Sequence, residues 1–150
     1  MTAARRALAL FVEPQQRPPA GPPAVLDVGV TGLSNGCGAT TVARGLALEL
    51  PAARIADGHA PGPSGVLVVV AGSDAVPVLA RMVIDRLRER LPHVVLVANR
   101  PDDALEWERA GAVCLPRSRL GVELLSRGRR PWGRLRTALH ALARAVQEMP

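Results

Sequence analysis

The chain reads as an α/β fold, a small doubly wound, mostly parallel sheet of about five strands with helices on both faces. Three observations predict it. Strand-like apolar runs alternate with helix-periodic stretches from residue 25 to the end, the pattern of a parallel sheet with crossover helices. The run Val66–Ala71 (VLVVVA) is apolar at every position, as in a strand covered on both faces. Only 2% of the 150 residues are aromatic while 48% are hydrophobic, so the core must be aliphatic, and the length suits one domain.

Residues 13–24 carry five prolines. They place a flexible Pro-rich segment over residues 1–24, ahead of an α/β domain spanning 25–150. Residues 25–30 read as the first buried strand. Thr40–Leu50 reads as a helix with Val42, Leu46 and Leu50 on one face, stopped by Pro51. Arg54–Ala56 is a short strand candidate, and Asp57–Gly65 (DGHAPGPSG) is a loop. After the Val66–Ala71 strand, Ser73-Asp74 offers a helix N-cap. The helix from Asp74 to about Leu91 puts Val76, Leu79, Ala80, Val83, Leu87 and Leu91 on its apolar side. Val94–Ala98 is the next strand, Asp102–Ala110 a short helix and Ala112–Leu115 a short strand. Ser118–Arg127 forms a helix ended by Gly128. The final helix, Trp132–Met149, spaces Trp132, Leu135, Leu139, Leu142, Val146 and Met149 along one stripe.

Net charge is +6, and all 19 basic residues are arginine. Arginine in place of lysine, with abundant Ala, Gly and Pro, is the mark of a GC-rich genome, so a solvated surface is set against an anionic partner. Scarce aromatics argue against a single-strand nucleic-acid reader, which stacks bases on rings. Cys37 and Cys114 are too far apart in sequence to suggest a disulfide framework or a metal pattern, and both read as packing residues. His59, His93 and His140 share no ligand spacing. The start ARRALALFVEP imitates a signal peptide, but its apolar core is short and a Pro-rich stretch follows. No run approaches the ~20 apolar residues of a membrane span. A cytoplasmic location is expected.

Residues 24–45 (AVLDVGVTGLSNGCGATTVARG) carry the functional signal. A mostly apolar strand leads through a Gly-rich turn into a helix opening at Thr40-Thr41. That is the layout of a P-loop, whose backbone N–H groups face a phosphate. The lysine such a loop needs before its Ser/Thr is missing, because Ala39 stands there.

These elements, in this order, resemble the MinD/ParA family of deviant P-loop ATPases. The family's K-G-G-x-G-K-T-T falls on Ser34-Asn35-Gly36-Cys37-Gly38-Ala39-Thr40-Thr41. Gly36, Gly38, Thr40 and Thr41 match, while both family lysines are absent. Ala98-Asn99-Arg100 is similar to the family's V-x-N-R strand end. Ala112-Val113-Cys114-Leu115-Pro116 is similar to the strand ending in its I-P turn, and Gly128-Arg129-Arg130-Pro131 to its closing pattern. The chain is short, with about fifteen residues from Pro51 to Val66 where the family has a further strand–helix–strand. Asp57 is the only candidate remnant of its switch aspartate.

The resemblance implies a bacterial nucleotide-binding domain. Gly36, Cys37, Gly38, Ala39, Thr40 and Thr41 would lie along the phosphates, Thr40 on a weakly held Mg²⁺, and Asn99 against the adenine. Thr40 and the helix dipole suit weak ATP/Mg²⁺ binding. Without a lysine, the positive charge that phosphoryl transfer demands is missing. Arg44, a turn inside the helix, is a poor substitute. The reading is therefore a pseudo-ATPase with no catalytic residue. It would be a scaffold acting through protein partners, possible homodimers included, as relatives do in placing division, chromosome, flagellar or pilus/secretion machinery. An empty inherited loop is the plain alternative. An ATPase completed by a partner's cation is another. A third is a binder of DNA or anionic membrane using Arg127, Arg129, Arg130, Arg134 and Arg136 beside Trp132, with the last helix as a membrane foot.

Overall fold

The computed structural model describes residues 25–150; the Pro-rich segment expected over 1–24 lies outside the described residues. The fold is α/β, with one five-stranded, all-parallel sheet. Its strands are β1 (Asp27–Gly32), β2 (Arg54–Asp57), β3 (Val66–Ala71), β4 (Val94–Asn99) and β5 (Val113–Leu115). They stand in the order β2-β1-β3-β4-β5. Helices α1 (Ala39–Glu49), α2 (Pro77–Arg88), α3 (Ala104–Arg109), α4 (Arg119–Ser126) and α5 (Gly133–Glu148) connect and close it.

Strand alternation divides the core in two. Val28, Val30, Val66, Val68, Val70, Val95 and Val97 face α1, α4 and α5 through Leu46, Leu125, Leu139 and Leu142. Leu67, Val69, Ala71, Val94, Leu96 and Ala98 face α2 and α3 through Ala80, Ile84 and Trp107. All six residues of β3 and all six of β4 are buried, as strands covered on both faces should be.

The last helix docks. Its stripe Leu135, Leu139, Leu142, Ala143 and Val146 is buried in the first core. Gly45 of α1 lets it approach: a Cβ there would lie 2.7 Å from Leu139 Cδ2. Trp132, expected in this stripe, is instead the exposed N-cap residue.

Helix α2 departs from expectation twice. It starts at Pro77, with Val76 as its cap, and not at Ser73-Asp74. Pro77 presets the first helical φ and disfavours helical geometry at the residue before it. Its buried face is Pro77, Ala80 and Ile84, while Val76, Leu79 and Val83 are 41–59% exposed. The helix carries two apolar stripes, and periodicity could not choose between them. Of the expected side, Ala80 is buried and Leu87 and Leu91 pack against the core, while Pro77 and Ile84 complete the face set on the sheet.

Between β2 and β3 the chain crosses β1 in eight residues, 58–65, with no helix. Parallel crossovers usually need a dozen or more. Glycine makes this one possible: at Gly29 a Cβ would meet the His59 carbonyl and Pro61. Asp27 Oδ2 then accepts from Gly62 N–H at 2.7 Å. The loop lies directly on the sheet.

Candidate functional site: the glycine-rich loop at the strand ends

The order β2-β1-β3 means that the chain leaves β1 and β3 for opposite faces of the sheet. Loops at such a switch point border a crevice at the carboxyl ends of the strands, where open α/β sheets bind ligands. The loop joining β1 to α1 lies here. Gly36 (φ 75°) and Gly38 (φ 93°) are both left-handed, a conformation that other residues reach only at a cost.

Gly38 is the N-cap of α1 and supplies no side chain; the first turn also contains no acidic residue. The first intrahelical bond runs from Val42 N–H to the Gly38 carbonyl at 3.1 Å. The N–H groups of Ala39, Thr40 and Thr41 therefore have no acceptor inside the helix. Ser34, Asn35, Gly36 and Thr40 are exposed, so an anion can reach the loop.

Three contacts hold the loop. Asn99, at the end of β4, is buried and donates Nδ2–H to the Cys37 carbonyl at 2.9 Å. A Cβ on Gly38 would run into that amide. Cys37 is buried as expected, packed so closely on Gly72 that a Cβ there would lie 3.3 Å from Cys37 Cβ. Asn99 thus braces the loop from below, with its Nδ2 already engaged by protein.

Thr40 Oγ1 donates to Asp57 Oδ2 at 2.7 Å. The sequence placed Asp57 in a loop; it is the last residue of β2, beside Thr40 of the glycine-rich loop. Mg²⁺ keeps several waters and takes one or two carboxylates with substrate phosphate oxygens. Thr40 and Asp57 fit that donor set, and would hold such an ion only together with a bound phosphate. Among the described residues no group of three or more His, Cys, Asp or Glu could hold a metal by itself.

Arg44 is exposed on the body of α1. Sequence reasoning gave Arg100 no role of its own, yet it lines a cavity of about 10 Å³ with Thr41 and Asn99. Its φ of 57° makes it the one non-glycine residue with positive φ among the described residues. Its Nε is buried without a hydrogen-bond partner among the described residues. No local pattern in the sequence signals this, because the positioning comes from the β4–β5 pairing: Arg100 N–H donates to the Leu115 carbonyl at 2.8 Å.

Cys114, expected in the core, is half-buried because β5 is an edge strand. Burial first, and the Glu108 carboxylate second, push its thiol pKa up. Among the described residues, no helix is long and apolar enough to cross a membrane. Comparison of the chain with protein-family models, curated proteins and solved structures finds no match.

Proposed function

We propose that this domain is a MinD/ParA-like P-loop relative that binds a nucleotide phosphate weakly and does not hydrolyse it, acting as a scaffold for protein partners. The observation carrying this reading is the uncapped N-terminus of α1 behind two left-handed glycines, with the Thr40–Asp57 pair at its side. Backbone dipoles favour a phosphate there. The absence of lysine from the whole chain removes the side chain that would stabilise charge on a transferring phosphoryl group, an effect typically worth ~3–4 kcal/mol. Binding survives such a loss better than turnover does. Exposed apolar side chains on α2, Val78 and Met82 among them, support a role played through protein contacts.

The Thr40–Asp57 pair favours a second reading, an ATPase completed by a partner's arginine, since it retains the oxygen donors of a Mg²⁺-phosphate site. One titration tests the nucleotide binding that both readings share. A fluorescent ATP analogue with Mg²⁺ is expected to bind the wild type weakly and Ala39→Lys about 10–100-fold more tightly, from one charge-assisted hydrogen bond of ~1.5–3 kcal/mol. Phosphate release by the isolated wild type should stay at background. No binding by either protein removes the nucleotide reading, and brisk release by the wild type removes the non-catalytic one.

A further inference from the structure

We propose that the free edge of β5 is a docking site for an acidic, extended peptide segment of a partner protein, which adds as a sixth strand. Strand β5 is the last in the sheet among the described residues. In a parallel ladder, successive residues turn their N–H and C=O to opposite sides. The Leu115 carbonyl faces β4, where it accepts from Arg100 N–H. Cys114 must therefore turn its N–H and C=O away from β4, toward the open side. Unpaired strand edges template the addition of another chain; on this short edge Cys114 supplies the free N–H, since Ala112 N–H bonds the Trp107 carbonyl and Pro116 has none.

The open side is a shallow concavity, wide open to solvent. It lies beside β5 between α3 and α5 and is lined by residues of all three. Small side chains line it, among them Ala104, Ala138 and Ala141, leaving room for a backbone between the helices.

Charge selects the occupant. Arg117, Arg134 and Arg136 line the concavity against a single acid, Glu108. All three arginines are exposed, and none joins an ion pair among the described residues. Residues 117–136 hold seven arginines and one glutamate, a net of +6 that equals the charge of the whole chain. A second copy would set two such rims against each other. The chain's own residues 1–24 carry three arginines and one glutamate, the same sign as the rim. A partner strand bearing Asp or Glu satisfies both the ladder and the field.

The test uses the full chain and a fluorescein-labelled decapeptide of alternating Glu and Val, read by anisotropy. Binding is expected, with at least tenfold weaker binding for the Lys–Val counterpart and for the triple variant Arg117→Glu/Arg134→Glu/Arg136→Glu. That variant should keep the wild-type circular dichroism, because the three side chains are exposed. Versions of the peptide N-methylated at the valines or at the glutamates keep their charge but lose alternate backbone donors. At least one of them should bind tenfold more weakly, and the parent peptide should shield Cys114 from iodoacetamide. The proposal is overturned if the Glu–Val peptide does not bind. It is equally overturned if both methylated peptides bind like the parent, if Cys114 stays unshielded, or if duplex DNA displaces the peptide at a lower phosphate concentration than the peptide's own carboxylates.

Discussion

At the scale of single residues, the glycine-rich loop depends on one buried amide. Asn99 holds the Cys37 carbonyl at 2.9 Å and occupies the space a Cβ on Gly38 would need. Gly38→Ala should cost ~1–2 kcal/mol for the left-handed backbone, with more from the collision. Asn99→Ala should cost ~1–3 kcal/mol through the buried carbonyl left without its donor. Together they should cost less than the sum, because the new methyl fills vacated space; residues in contact couple by ~0.5–3 kcal/mol. Urea unfolding of the four proteins gives the coupling directly, and strict additivity would show that the two residues do not share this space. Cys114 supplies a pH test. Its thiol pKa is raised in the folded chain by burial and by Glu108, so the unfolded chain loses that proton first. The folded state then binds more protons, and stability falls as pH climbs from the ordinary thiol range through the folded value. Cys114→Ala should lack this decline, so its stability relative to wild type should improve between about pH 8 and 10.

Among the elements, the shortest connection explains most of what is unusual. Residues 58–65 replace a helical crossover only because Gly29 leaves the sheet bare beneath them. Gly29→Val would suit a strand by propensity, yet it should destabilise by ~1–3 kcal/mol through overpacking, measured as a lower urea midpoint. No stability change would mean the loop is not pressed on β1. This also shows what was legible in the sequence. The strands and helices announced themselves because valine runs and i, i+4 spacings are local signals. The glycine-rich turn was equally plain, since glycines at 36 and 38 are needed where φ is positive. The placement of Asp57 beside Thr40 was not, because seventeen residues separate them and only the β1–β2 pairing joins them. The buried face of α2 was read only in part, Ala80, Leu87 and Leu91 facing the core but Val76, Leu79 and Val83 not, for a related reason. Two stripes have helical spacing, and the choice between them is made by the sheet's surface, not by the helix.

On the scale of the whole molecule, the excess charge is localised. Outside residues 117–136 the chain has twelve arginines and twelve acids, so the surplus of six lies entirely in twenty residues. Some of these arginines serve the fold. Arg130 Nη2 donates to the Leu48 carbonyl at 3.2 Å, near the C-terminus of α1, where a cation is favoured by the helix dipole. Arg127 pairs with Glu123 at 3.0 Å. Arg117, Arg134 and Arg136 have no such partner among the described residues, and a dense single-sign patch attracts polyanions beyond what net charge alone dictates. Two triple variants with equal net charge separate the two effects. Arg117→Ser/Arg134→Ser/Arg136→Ser depletes the patch, whereas Arg86→Ser/Arg90→Ser/Arg109→Ser removes three exposed arginines elsewhere. On a heparin column the first should elute at clearly lower salt than wild type and the second close to it. Equal shifts would mean that overall charge, and not its concentration along the β5 edge, governs association with anions.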